Sequence, residues 1–228
     1  MISHEHQFIL TLLCAHGGYL AYWLITQKGL RTGGIVDNAR HILVRRLAGF
    51  GLLGLLPFSA LYLLTPLSTL AVGFVSRLQH PALIWVACTC VPILLLTIQA
   101  ARKKQSLKHQ PETRNATWTW SILLMEHVGL AFYLLGYEVL FRGILLFGTL
   151  PLLGNAGAIA LNIAVYSLAH LPKGSTETLG SIVFGVVLCL ATLQTGTIWA
   201  AFFIHLCLAS SSSFFSLRAN PQMRLELL

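Results

Sequence analysis

Charge is scarce in this chain. Lys, Arg, Asp and Glu together make up 10% of its 228 residues, and only seven of them are acidic. A soluble domain carries about 25% charged residues, so the shortage excludes a water-soluble globular protein of this size. No polar stretch is long enough to hold a core of its own, which excludes a separate soluble domain. Zinc-finger spacing is missing too. The five cysteines (Cys14, Cys88, Cys90, Cys189, Cys207) all fall in apolar segments, and Cys88-Thr89-Cys90 has neither the two-residue spacer nor a second ligand pair. They read as small buried hydrophobes. The first apolar run lacks a basic leading region and a small-residue cleavage site, so it reads as a span rather than a cleaved signal. No aromatic residues interleave with the basic ones, so the net charge of +8 does not indicate a nucleic-acid partner.

What is present is apolar sequence: 56% hydrophobic residues and a mean hydropathy of +0.74. This is the composition of a polytopic membrane protein, an all-α transmembrane bundle. A span needs about 20 apolar residues. Runs of that kind lie near 7–27, 48–71, 81–101, 127–149, 154–172, 178–194 and 196–215. Residues 115–126 carry Trp118 and Trp120 at the expected interface. They either extend the fourth span or lie along the inner surface. Lys28, Arg31, Arg40, Arg45 and Arg46 follow the first span, and Arg102, Lys103, Lys104, Lys108 and Arg114 follow the third. With Lys173, Arg218 and Arg224 on the same side and only Arg77 opposite, the basic loops predict an external N-terminus and a cytoplasmic C-terminus. An eight-span alternative makes 117–135 a separate span reversing near Gly136. It is disfavoured, because that stretch has no room for a loop in lipid. The organisation expected is one membrane domain: residues 1–116 with three spans and basic loops, then 117–228 with the functional set. The expected location is a bacterial inner membrane, with membrane lipids as neighbours.

Glu138 and Arg142 lie inside the fourth span. A charge at the bilayer centre costs at least about 2.5–3.5 kcal/mol, so such groups pair and usually serve a function. Four residues apart on a helix, these two share a face. The fourth and fifth spans form a hairpin turning at Gly154-Asn155-Ala156-Gly157, which brings His170 to the depth of Glu138. Asn162, Tyr166 and His170 recur along one face of the fifth span, and His205 lies near the middle of the seventh. Glu138, Arg142, His170 and His205 can therefore converge, with Tyr137, Tyr166, Asn162 and Ser210 lining the cavity. A carboxylate that takes a proton, imidazoles that orient water and an arginine that fixes the carboxylate make a water-activating set. The bland reading is an ion pair and histidines that merely join helices. A proton-relay transporter is a third. Glu126-His127 reads as interfacial and solvated, and His16 is given no role.

Three short patterns carry a family resemblance. Tyr137-Glu138-Val139-Leu140-Phe141-Arg142 resembles a Glu-Glu-x-x-x-Arg motif. Tyr166-Ser167-Leu168-Ala169-His170 resembles Phe-x-x-x-His, and the approach to His205 is similar to the start of His-x-x-x-Asn. In this order they resemble the CPBP family of intramembrane proteases, which holds CAAX prenyl proteases and bacteriocin-processing or Abi proteins. The resemblance covers about residues 117–215. It implies peptide cleavage near the membrane surface, with a peptide or membrane-protein partner. Three positions depart from it: Tyr166 stands for the phenylalanine, and the other two bear on the chemistry. The glutamate expected as general base is Tyr137, whose hydroxyl ionises near pH ~10 and is a poor base at neutral pH. The expected asparagine is Ala209, with Ser210 turned about 100° around the helix. Two readings follow: an endopeptidase in which Glu138 has become the base, or a pseudoprotease serving binding, immunity or complex assembly. No cofactor is required. Glu138, His170 and His205 are also donors that a zinc site uses, and both alternatives stand.

Overall fold

The computed structural model describes residues 3–31, 39–65, 72–74, 80–103, 106–107 and 110–226, with backbone alone at 27–31 and 173. Arg77, Lys104 and Lys108, and the side chains of Lys28, Arg31 and Lys173, lie outside the described residues. The chain is a helical membrane bundle, and six stretches are long and apolar enough to cross a bilayer. They are α1 (His4–Arg31), a second helix (Ala39–Leu64, α2), a third (His80–Ala101, α3), the 49 residues Trp120–Leu168, and helices Ser175–Thr195 (α6) and Ile198–Ala219 (α7). The 49-residue stretch is not one rod. Gly154 takes φ 64° and ψ 179°, a conformation open to glycine because it has no Cβ. It divides the stretch into α4 (120–153) and α5 (155–168).

The two arms run antiparallel. Leu146 shares a small core with Ala158, Phe141 O accepts a hydrogen bond from Asn162, and the Tyr137 ring meets Tyr166. One partner climbs as the other descends, so the hairpin expected around Gly154 is the observed one. The helix continues through Gly136 without reversing, so the structure has no turn where the eight-span alternative put one.

The second span begins nine residues earlier than hydropathy predicts. Arg40, Arg45 and Arg46 are therefore helical rather than loop residues. Charged residues at the edge of an apolar run hide its true start when partners inside the protein neutralise them.

Both α2 and α4 contain π-helical turns, Phe50–Leu55 and Val139–Leu146. Such turns are rare and occur mostly at functional sites. The two helices touch backbone to backbone there. A Cβ on Gly54 would lie 2.8 Å from Gly136 Cα, and one on Gly136 would lie 2.8 Å from Phe50 Cα and 3.0 Å from Phe50 O. Small residues let membrane helices approach this closely, and van der Waals packing then holds them. Backbone cannot yield as a side chain can, so Gly136→Ala is expected to lower stability by about 1–3 kcal/mol. Thermal unfolding in detergent would measure it, and an unchanged midpoint would show that the helices slide apart freely.

Around this contact lies the main core. Ala15 of α1 and Leu53 and Leu61 of α2 pack with Tyr137, Phe141, Ile144, Tyr166 and Ile198, so residues before 117 share a core with those after it. On the other side α3 packs Ala82 and Ile93 against Ala200, Ala201 and Ile204 of α7. The α6–α7 turn uses Gly196 at φ 65° and Thr197, whose hydroxyl caps α7 by accepting from Trp199 N at 3.3 Å. Residues Thr117–Trp118 (β1) pair in parallel with Arg224–Leu225 (β2) beyond α7, burying Trp118 against Leu123 and Leu217.

Candidate functional site

Three elements build the site. Tyr137 and Glu138 come from the last α-helical turn of α4 before its π segment, and Arg142 from within that segment. Asn162 and Tyr166 come from α5, with His170 just past its end, and His205, Ala209 and Ser210 come from α7. Glu138 and Arg142 are 0% exposed. Arg142 Nη1 lies 3.2 Å from Glu138 Oε2, and its guanidinium carbon sits 4.4 Å above the Tyr166 ring. A desolvated cation on a tyrosine face gains about 2 kcal/mol, so carboxylate and ring share the compensation of one buried charge.

Glu138 Oε1 lies 2.6 Å from His205 Nδ1. An ionised carboxylate only accepts hydrogen bonds, so Nδ1 carries the proton and Nε2 is the ring's remaining acceptor in the neutral imidazole. His170 Nδ1 lies 2.9 Å from Tyr166 O, and a carbonyl only accepts, so His170 is protonated at Nδ1 as well. The Tyr137 ring lies between the two, edge-on to His170 at 6.4 Å and to His205 at 5.8 Å.

A cavity of about 440 Å³ opens beside these rings. Tyr137, His170, His205 and Ala209 line one end, and Tyr19, Tyr22, Trp23 and Tyr133 form an aromatic wall. The far end carries Arg45, Arg46, Glu112 and Glu126. Glu138 and Arg142 do not reach the wall. Of the four residues expected to line the cavity, Tyr137 does so. Asn162 is fully buried, donating to Phe141 O at 2.5 Å and accepting from Cys189. Tyr166 is 1% exposed, beneath Tyr137 and over Arg142. On α7 it is Ala209 rather than the neighbouring Ser210 that faces the cavity.

The donor set does not converge as a zinc site requires. Among the described residues, no three His, Cys, Asp or Glu side chains are placed to hold a metal ion. Glu138 directs its oxygens to Arg142 and to His205 Nδ1, behind the cavity wall, and His170 Nδ1 is turned to a backbone carbonyl. Zinc needs ligand atoms converging at about 2.0–2.2 Å. These three side chains do not fit that requirement.

The far end of the cavity corrects one expectation and adds a cluster that hydropathy had hidden. Glu126 is not solvated: it is 2% exposed, and Arg46 is 4% exposed. Arg46 Nη1 donates to Glu126 Oε2 at 2.8 Å and Nη2 to Oε1 at 3.1 Å, a two-pronged pair. Thr113 and Ser213 donate to the same carboxylate at 2.6 and 2.8 Å. Four segments meet there: α2, the residues before β1, α4 and α7. The available sequence signal was an acidic residue within an apolar stretch, the reasoning already applied to Glu138. Thr113→Val keeps the shape and removes one charge-assisted bond. Its expected cost is about 2 kcal/mol, measured as a lower unfolding midpoint than Ser212→Ala, a change at the residue before Ser213 in α7.

Residues 117–210 match the family model described as type II CAAX prenyl endopeptidase Rce1-like. This part of the chain is similar to that family. The matched segment holds Tyr137, Glu138, Arg142, His170 and His205, and it ends at Ser210, so the Rce1-like match and the buried polar set coincide. No curated protein and no solved structure matches the chain. The protein is an integral membrane protein in which residues 117–210 are similar to that family, and Arg45 and Arg46 lie outside the matched segment on α2.

Proposed function

We propose that this protein is a membrane-embedded binding protein that uses the Rce1-like cavity to hold a peptide or a partner's membrane segment without cutting it. One observation carries the reading. Tyr137 stands on the cavity wall, and Glu138 is sealed behind it at 0% exposure. A general base must reach the water it deprotonates, directly or through one intervening water. Both Glu138 oxygens face Arg142 and His205, so the carboxylate serves as the fixed counter-charge of Arg142 and as the orienting partner of His205. Ala209 on the wall offers no donor to a developing oxyanion, a loss worth about 10²–10³ in rate.

The short Glu138–His205 contact favours a second reading. A carboxylate on Nδ1 holds an imidazole so that Nε2 can accept a proton. In a peptidase of this design His205 Nε2 takes a proton from water as the oxygen attacks the carbonyl. It then returns the proton to the leaving amine when the C–N bond breaks.

Mass spectrometry of protein termini separates the two. The strains are a null, the null restored with the wild type, and the null restored with His205→Gln. Because the family description names a prenyl endopeptidase, a prenylated CAAX peptide is the first reporter to add. Identical termini in all three strains and an uncut reporter are expected. Termini that need the wild type and disappear in His205→Gln would replace the binding reading with the peptidase one.

A further inference from the structure

The second polar cluster suggests a ligand site that the Rce1-like match does not cover. Arg46 is already satisfied by Glu126. The same end of the cavity nevertheless holds another arginine and another carboxylate. Glu112 bridges both arginines, through Oε2 to Arg46 Nη2 at 3.1 Å and through Oε1 to Arg45. The three groups differ in exposure: the side chains of Arg45 and Arg46 are 16% and 5% exposed, and that of Glu112 is 44% exposed. Glu112 lies in non-helical chain ahead of β1. It can leave for water at small cost, whereas Arg45 would remain half enclosed and without a counter-charge. A half-enclosed guanidinium needs an anion in that place, and an anion from outside can substitute for Glu112.

The level of the cluster selects the anion. Arg45 and Arg46 lie about two turns into α2. Trp23, 44% exposed on α1, lines the same cavity, and Trp120, 63% exposed, opens α4. Indoles settle at the headgroup level of a bilayer, and basic pockets between membrane helices at that level bind phospholipid head groups. The aromatic wall of Tyr19, Tyr22 and Trp23 leads from the arginines along α1, where an acyl chain can lie.

We propose that Arg45 and Arg46 form a seat for the phosphate of an anionic phospholipid, and that Glu112 occupies this seat in its absence. The site is independent of whether the cavity binds or cuts a peptide.

The test uses the full-length protein in mild detergent, with native mass spectrometry reading bound lipid. The probes are phosphatidylglycerol, phosphatidylcholine and inorganic phosphate. Wild type is expected to retain phosphatidylglycerol about fivefold over phosphatidylcholine, the preference that one favourable headgroup charge contact supplies. Glu112→Gln empties the seat of its internal anion and raises that retention severalfold. Arg45→Gln lowers it to the phosphatidylcholine level. A thermal-unfolding measurement on each variant establishes that it is folded. Equal retention of the two lipids by wild type would overturn the proposal, as would retention unchanged in both variants. Complete displacement of phosphatidylglycerol by an equal concentration of inorganic phosphate would overturn the lipid assignment in favour of a free anion.

Discussion

Tyr137→Glu combined with Ala209→Asn is expected to convert this protein into a peptidase. The two changes place a carboxylate and an amide donor on the cavity wall at the positions where the CPBP resemblance puts them. The surroundings are ready for the carboxylate. The Tyr137 ring already sits between His170 and His205, and glutamate is smaller than tyrosine, so the new side chain fits with space left for water. His205 is held from behind by Glu138 and His170 by the Tyr166 carbonyl, so neither imidazole must be rebuilt. A positioned general base contributes about 10²–10⁴ in rate and an oxyanion donor about 10²–10³. The double variant should therefore exceed wild type on the prenylated reporter by several powers of ten, and each single variant should fall well below it. No gain in a variant that accumulates normally would mean that the two histidines are set for something other than hydrolysis.

Glu138→Leu is expected to be among the most damaging single substitutions in the chain. It leaves the Arg142 guanidinium in a fully buried site with the Tyr166 ring beneath it but no carboxylate beside it, and it frees His205 from its tie to α4. Removing one partner of a buried ion pair costs about 3–5 kcal/mol, a large share of a stability that totals about 5–15 kcal/mol. Accumulation in the membrane should fall sharply. Glu138→Gln is the control, since its amide oxygen still accepts from Arg142 or His205. On the binding reading it keeps both protein level and function. A Glu138→Gln protein that accumulates yet has no function would show that the charge of Glu138 does more than hold its neighbours.

Some of this architecture was readable before any coordinates. Glu138, Arg142, His170 and His205 stand out because each interrupts an apolar run, and in lipid an interruption needs a reason. Gly154 was readable as a turn for the same kind of reason. Side-chain direction was not. Tyr137 and Glu138 are successive residues of regular helix, about 100° apart around its axis, and only the packing of α5 and α7 against α4 decides which of the two faces the cavity. The arginine cluster was hidden differently. Arg45 and Arg46 sit at the end of an apolar run, where hydropathy assigns them to a loop, and Glu126 lies 80 residues away in sequence. Nothing along the chain links the two, because the pairing exists only once α2 packs against α4.

The strand pair Thr117–Trp118 and Arg224–Leu225 has a practical consequence. The stretch that similarity marks out, 117–210, begins at a strand whose partner lies fourteen residues past its end. The homologous segment and the folding unit are therefore different lengths of chain. An expression fragment cut at the similarity boundary would lose the far half of α7 with Ser213 and the strand that shields Trp118. It would fail for reasons unrelated to its cavity. A fragment meant to isolate the core has to run to residue 226 and also keep α1 and α2, whose Ala15, Leu53 and Leu61 share that core.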